Sequence, residues 1–306
     1  MLMDVALVTG ANSGIGRATA IRLASGGFRV YGGMRDLASG GKLAAMAEAA
    51  GVEVRPIRLD VSDEELVRSA VAQIIEDEGG VDVLVNNAGI TENGVVEESP
   101  AESFQRVFDV NVCGIVRCVA AVLPHMRERR RGGIVNIASI AGRVAMGAQA
   151  PYATSKWAVE GLTEGLAQEV AGHGIRVALI EPGVTKTPIF AKATNVPAST
   201  HAYEATYRRM FQFFATGLQS ATRPEEVAEV VHGALTTDDP KLRYVCSWGA
   251  AELAAGRRAM TDEDWVALGG LESDEDYYRE FSRLTGLDIA PAAPGAGRPA
   301  PAPTSA

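Results

Sequence analysis

The opening segment restricts the fold more than any other part of the chain. Asp4-Val-Ala-Leu-Val-Thr-Gly10 is a short apolar run that stops at a glycine. Ala11-Asn-Ser-Gly-Ile-Gly16 is a glycine-rich turn, and Arg17 to Ala24 has helical periodicity. A buried strand, a tight turn and a helix therefore follow one another. Glycines at Gly10, Gly14 and Gly16 let the backbone approach a phosphate, and the helix N-terminus favours its negative charge. Ser13 and Ile15 lie within the same turn. The spacing is Gly-x-x-x-Gly-x-Gly, a variant of the dinucleotide fingerprint Gly-x-Gly-x-x-Gly.

The same strand-then-helix rhythm continues. Strands are predicted at 4–9, 28–33, 53–59, 81–86, 133–138, 175–180 and 242–247, with helical patterns between them. That alternation predicts an α/β fold, a Rossmann-type doubly wound parallel sheet of about seven strands with helices on both faces. Although 306 residues could make two domains, the unbroken alternation argues for one catalytic unit over 1–248. A helical extension follows over 249–289, and a Pro- and Ala-rich, disordered tail over 290–306.

The second strand leads into Met34-Arg35-Asp36, about 20 residues past the glycine turn, where dinucleotide folds test the adenosine ribose. Arg35 would pair with a 2′-phosphate, whereas Asp36 would accept from a free hydroxyl. Asp36 also reads as the opening of the next helical segment. NADP(H) is therefore favoured over NAD(H).

Tyr152 and Lys156 stand four residues apart in Pro151-Tyr-Ala-Thr-Ser-Lys156 and would share one helix face. Two charges about 4 Å apart interact by roughly 4 kcal/mol at an effective dielectric near 20. An ammonium held there is expected to bring the phenol down from about 10 towards neutrality, where it can move protons.

Together these pieces resemble the short-chain dehydrogenase/reductase family, in its compact single-domain branch. The resemblance is carried by Thr9-Gly-x-x-x-Gly-Ile-Gly16, Asp60-Val61, Asn86-Asn-Ala-Gly89, Asn111, Ser139, Tyr152-x-x-x-Lys156 and Pro182-Gly183, in the family's order over residues 4 to about 248. It implies Tyr152 as general acid/base, with Lys156 lowering its pKa and holding the nicotinamide ribose. It also implies Ser139 as the partner of the substrate oxygen, and Asn111 positioning a water in a relay to Lys156. Asn87 and Gly89 would lie beside the adenosine and its ribose, and Asp60 and Val61 would meet the adenine. Backbone after Pro182 and Gly183, with Thr187, would meet the nicotinamide amide and the diphosphate. Thr185 stands where the family usually has Val or Ile, which a backbone contact tolerates. Taken alone, Ser139 could end a strand and Asn111 could cap a helix starting at Val112.

Between Thr187 and Thr222 the rhythm breaks, so 187–222 is expected to cover the site as a lid. It holds Phe190, Tyr203, Tyr207, Met210, Phe211, Phe213 and Phe214. Tyr203, Tyr207, Met210 and Phe214 share a face that either packs on the body or covers a bulky, apolar carbonyl or alcohol substrate. Thr222 to Glu225 reads as a capping box opening the next helix. Ile140, Arg143, Met146, Gln149, Glu92 and Val184 are further pocket candidates. In the extension, Trp265 and Tyr277-Tyr278-x-x-Phe281 are expected to pack over the substrate mouth or against a second subunit.

With 29 basic and 38 acidic residues the formal charge is −9, which speaks against nucleic acid and anionic membranes as partners. The basic cluster Arg127 to Arg131 fits the C-terminal end of a long helix starting near Asn111. No apolar stretch of spanning length and no signal segment are read, and Cys113, Cys118 and Cys246, odd in number and without a Cys-x-x-Cys pattern, suggest reduced thiols in a cytoplasmic protein. Four scattered histidines suggest no metal. The resemblance implies a homodimer or homotetramer assembled through the helix near Asn111 and the helix carrying Tyr152. The rival readings are an NAD-dependent alcohol dehydrogenase and a non-catalytic dinucleotide-binding sensor or scaffold.

Overall fold

A computed structural model describes residues 4–192 and 200–291. The strands are β1 (Val5–Thr9), β2 (Arg29–Met34), β3 (Val54–Arg58), β4 (Val83–Asn86), β5 (Gly132–Ile137), β6 (Ile175–Pro182) and β7 (Arg243–Cys246). They form one parallel sheet in the order β3-β2-β1-β4-β5-β6-β7. The order reverses between β1 and β4, so the crevice beyond their carboxyl ends is where a ligand fits this topology.

A parallel sheet is covered on both faces, which explains why β1 and β4 are continuous apolar runs. Successive side chains alternate between two cores. Val5 and Leu7 join one with α3 (Glu64–Glu78), α5 (Gly114–Arg129) and α6 (Ala150–Val170). Ala6 and Val8 join the other with α1 (Gly14–Ser25), α2 (Gly41–Ala49) and α9 (Pro224–Thr236). Asp63 begins α3 by accepting from the Leu66 amide at 3.0 Å, and left-handed Gly79 ends it.

Three details differ from the sequence-based expectations. The helix expected to begin near Asn111 begins earlier, as α4 (Ala101–Phe108), and runs through a widened π-type turn at Asp109–Cys113 into α5. Asn111 therefore lies inside a helical run and caps nothing. The continuous run Ala101–Arg129 also reaches the length and apolarity of a membrane span, contrary to expectation. Its Ile115, Cys118, Val122 and Met126 instead pack into the first core. Finally, α9 begins one residue later than expected. Arg223 is its N-cap, and Glu226 accepts from the Arg223 amide at 3.1 Å. Thr222 is drawn away because its hydroxyl accepts from the Trp248 amide at 3.0 Å.

The basic cluster is engaged structurally: Arg129 pairs with Asp82, Arg131 with Asp4, and Arg130 donates to the Gly172 carbonyl at 2.8 Å. After β7 come α10 (Ala250–Ala259), α11 (Asp262–Gly269) and α12 (Asp274–Thr285), each fitted to its neighbours by local chemistry. Thr261 and Ser273 cap α11 and α12 by accepting from Asp264 and Asp276 amides at 3.0 Å. Trp265, Tyr277, Tyr278 and Phe281 form a third core with Phe213 of α8 (Glu204–Gln219) and Leu253 of α10. Arg209 of α8 lies over the Tyr277 ring at 4.5 Å and donates to Asp274 and to the Leu271 carbonyl. Most of the expected disordered tail, and the middle of the expected lid at 193–199, lie outside the described residues.

Phe281 is fully buried at the centre of that third core. Phe281→Ala is expected to cost about 3–5 kcal/mol, read by denaturant unfolding. A loss under about 0.5 kcal/mol, typical of a surface position, would show that the extension does not share the fold's stability.

Candidate active site

At the carboxyl ends of β1, β4, β5 and β6 lies a cleft of about 580 Å³. Its first wall is the glycine turn. Gly10 and Gly14 have φ of +68° and +52°, a left-handed conformation that side chains resist. Gly16 serves a different purpose. A Cβ there would lie 2.3 Å from Asn87 Nδ2 and 2.5 Å from the Gly10 carbonyl oxygen. Gly16 does not line the cleft, unlike Gly10, Ser13, Gly14 and Ile15; its bare backbone lets α1 press against Asn87. Asn87 Nδ2 donates to the Thr9 carbonyl at 2.9 Å, and Thr9 Oγ1 accepts from the Asn87 and Ala88 amides at 3.0 Å.

Arg35, Asp36, Asp60, Val61, Asn87 and Gly89 line the far end of the cleft. Asp36 is engaged as a helix cap: its Oδ1 accepts from the Ala38 amide at 2.9 Å and opens the turn Leu37–Gly40. Arg35 is exposed at the rim. Asp60 Oδ1 accepts from the Ser62 amide at 3.0 Å and its hydroxyl at 2.7 Å.

At the near end stand Ser139, Tyr152 and Lys156, with Pro182, Gly183, Thr185 and Thr187 above them. Ser139 lies two residues beyond the end of β5 and caps the turn Ile140–Gly142, its Oγ accepting from the Ala141 amide at 3.1 Å. Lys156 is buried, with Nζ donating to the Ile137 carbonyl at 2.8 Å and lying 5.7 Å from the Tyr152 ring centre. Asn111, only 1% exposed, stands behind the cleft. Its Nδ2 donates to the Ile90 carbonyl at 2.9 Å and to Ser155 Oγ at 3.0 Å, and its Oδ1 accepts from the Ile90 amide at 2.8 Å.

The electrostatics of the pair differ from the expected lowering of the phenol. Burial pushes the Tyr152 phenol up from its ordinary value, and a hydrogen bond with Ser139 offsets only part of this. The same burial brings Lys156 down to about 8. Loss of water disfavours the charged form of both groups.

Of the further pocket candidates, Ile140, Met146, Gln149 and Val184 line the cleft. Arg143 does not; its guanidinium donates to the buried Glu181 carboxylate at 3.2 Å. Glu92 does not either, being held by Arg106 and Ser103. The aromatic face of the expected lid is divided. Phe190, Phe213 and Phe214 line the cleft, whereas Tyr203, Tyr207 and Met210 pack on Val95 and Ala148. The sequence reading missed Asn12, Ser39, Asn93, Val144 and Leu253, which also line the cleft. Asn12 could have been found from its place in the glycine turn; Leu253 carries no local signal, since only tertiary packing brings α10 to the site.

The short chain dehydrogenase family model matches residues 4–197. The chain belongs to the short-chain dehydrogenase/reductase family. It is 37% identical over 256 residues to human 17-beta-hydroxysteroid dehydrogenase type 1, covering 80% of this chain and 77% of that protein. A short-chain dehydrogenase from Streptomyces avermitilis superposes with a TM-score of 0.76 at 34% identity, over 88% of this chain and 99% of the other. An alcohol dehydrogenase from the archaeon Thermococcus sibiricus, solved with 5-hydroxy-NADP, gives a TM-score of 0.66 at 27% identity, over 80% and 96%. This short-chain family member is an NAD(P)-dependent oxidoreductase of CH–OH and C=O groups.

The burial of Lys156 has a direct consequence. The ammonium is charged below about pH 8 and loses its proton as pH rises through that value. NMR of selectively labelled lysine Cε should show one midpoint near 8, removed in Lys156→Met. An ordinary lysine midpoint for this residue would show that water reaches the amine.

Proposed function

We propose that the enzyme is an NADP(H)-dependent carbonyl reductase or secondary alcohol dehydrogenase for a bulky apolar ketone or alcohol, with Tyr152 as general acid/base. The observation that carries this is the pairing, in one cleft, of a Ser139–Tyr152–Lys156 floor with walls of Val144, Met146, Phe190, Phe213, Phe214 and Leu253. The hydroxysteroid and NADP named for the related proteins agree with the apolar walls and with Arg35.

The residues fit a dinucleotide. Gly10, Ser13, Gly14 and Ile15 would cradle its diphosphate at the start of α1, with Gly16 letting the helix close behind them. Asp60 and Val61 would receive the adenine, and Asn87 and Gly89 the adenosine ribose. Arg35 would pair with the 2′-phosphate, since Asp36 is committed to its cap. Lys156 would hold the nicotinamide ribose, and Pro182, Gly183, Thr185 and Thr187 the nicotinamide amide and diphosphate. When bound, the cofactor supplies or receives the hydride. Tyr152 then gives its proton to the carbonyl oxygen in reduction, or takes one from the alcohol in oxidation. A phenol kept neutral by burial suits the donor role. Ser139 donates to the substrate oxygen as charge develops on it, and the Lys156 ammonium steadies the phenolate left behind. The π-type turn at Asn111 departs from regular helical bonding, and a water bonded there is our assignment for the relay to Lys156.

Assembly as a homodimer or homotetramer through α5 and α6 is consistent with Val116, 47% exposed, and Trp157, 50% exposed, on their outer faces. The three free thiols agree with a cytoplasmic setting.

Replacing Tyr152 with Phe is expected to lower turnover by roughly 10²–10⁴-fold while NADPH binding changes little; retained turnover would sink the mechanism. Arg35→Ala should weaken NADPH by roughly tenfold or more, the worth of a charge-assisted hydrogen bond, and NADH much less. Equal losses in titrations with each cofactor would favour the NAD-dependent reading.

A further inference from the structure

The walls at the substrate end of the cleft are mostly apolar, and among the described residues the Gln149 side chain opens into it without a hydrogen-bond partner. Gln149 is 7% exposed and lines the cleft next to Tyr152. Its amide makes no hydrogen bond with the described residues, and it is not among the buried polar atoms sealed off from open space. Buried amides are ordinarily satisfied, and leaving one unmet costs free energy. A free amide facing a cavity is therefore a group awaiting a ligand.

The backbone holds this amide in place. Gln149 is the N-cap of α6, and its carbonyl accepts from the Ala153 amide at 2.8 Å. The residues on either side are pinned to Gly94: Gly94 N donates to the Ala148 carbonyl at 2.8 Å, and Ala150 N to the Gly94 carbonyl at 3.0 Å. Ala148 is buried with φ of +62°, a conformation that costs an alanine energy and persists only where the surroundings enforce it. The chain is thus turned sharply so that Gln149 meets the cleft one helical turn before Tyr152.

The charge pattern indicates what this amide would bind. Among the described residues, the charged side chains lining the cleft are Arg35, Asp36 and Asp60 at the adenosine end, and Lys156 on the floor. None stands beside Gln149 at the Val144–Met146 wall, so a carboxylate or phosphate there would find no counter-charge. An amide both donates and accepts, and matches a neutral ketone or hydroxyl oxygen.

We propose that Gln149 determines specificity by binding a second neutral oxygen of the substrate, so that the enzyme prefers bulky apolar compounds with two oxygen functions over simple ketones. This deepens the carbonyl-reductase reading and rests on it. Residues one turn apart on a helix have side-chain origins roughly 5–6 Å apart. A 1,4-relationship across one ring places two oxygens at a comparable spacing.

The test uses the whole enzyme with NADPH and a matched pair, decalin-1,4-dione and 1-decalone. The wild type should favour the dione in kcat/KM. In Gln149→Leu and in the unbranched Gln149→Met, the dione-to-monoketone ratio should fall roughly ten- to a hundredfold, as for a lost buried hydrogen bond, chiefly through KM. A ratio unchanged in both variants would overturn the role of Gln149, and so would a wild type that does not prefer the dione. Wild-type turnover of 1-decalone is the separate control for the underlying reading: failure to reduce either ketone, with NADPH bound, would count against carbonyl reduction itself.

Discussion

The site depends first on the clasp between Thr9 and Asn87. Thr9 ends β1 and Asn87 follows β4, the two strands whose helical connections leave in opposite directions, and the ladder between them stops at Val8 and Val85. The Thr9 hydroxyl accepts two amides from the β4 side, and the Asn87 amide returns a bond to Thr9. Gly16 lets α1 close on the same point. From there a chain of bonds continues through the Ile90 backbone to Asn111, then to Ser155, whose hydroxyl donates to the Tyr152 carbonyl at 2.7 Å. The glycine turn and the Tyr152 helix are thereby tied into one frame across the crevice.

Within that frame, burial sets the chemistry. Taking an ammonium and a phenol out of water disfavours the charged form of both. Lys156 loses part of its affinity for a proton and Tyr152 keeps its own more firmly. Proximity of the two in sequence suggests mutual charge stabilisation; the depth of the cleft decides that desolvation comes first.

The substrate end is built from parts far apart in the chain. Helix α8 is held on one side by Tyr203 on Glu97 and Tyr207 on Glu98, and on the other by Arg208 and Arg209 on Asp274. Gln212 adds a bond to the Ile289 carbonyl at 2.8 Å. The described part of the covering segment is therefore a fixed roof, with Phe213 and Phe214 turned inward and Tyr207 serving as a strut. The C-terminal extension buttresses this roof and lends Leu253 to the cleft wall.

The sequence by itself determined the sheet, because buried parallel strands must be continuous apolar runs and the turns between them need glycines and caps. Several motif residues were legible too, since Gly10, Asn87 and Ser139 follow the carboxyl ends of strands and Tyr152 and Lys156 share one helix face. The tertiary structure alone decided the rest. Arg143 was drawn away by Glu181 and Glu92 by Arg106, while Asn111 went into a widened turn within a longer helix. The aromatic face of α8 was divided between cleft and body, and Leu253 was brought in from beyond the last strand. The physical reason is the range of the forces involved. Periodicity and turn chemistry act within a few residues and can be read locally, whereas ion pairing, desolvation and packing depend on neighbours that only the folded chain supplies.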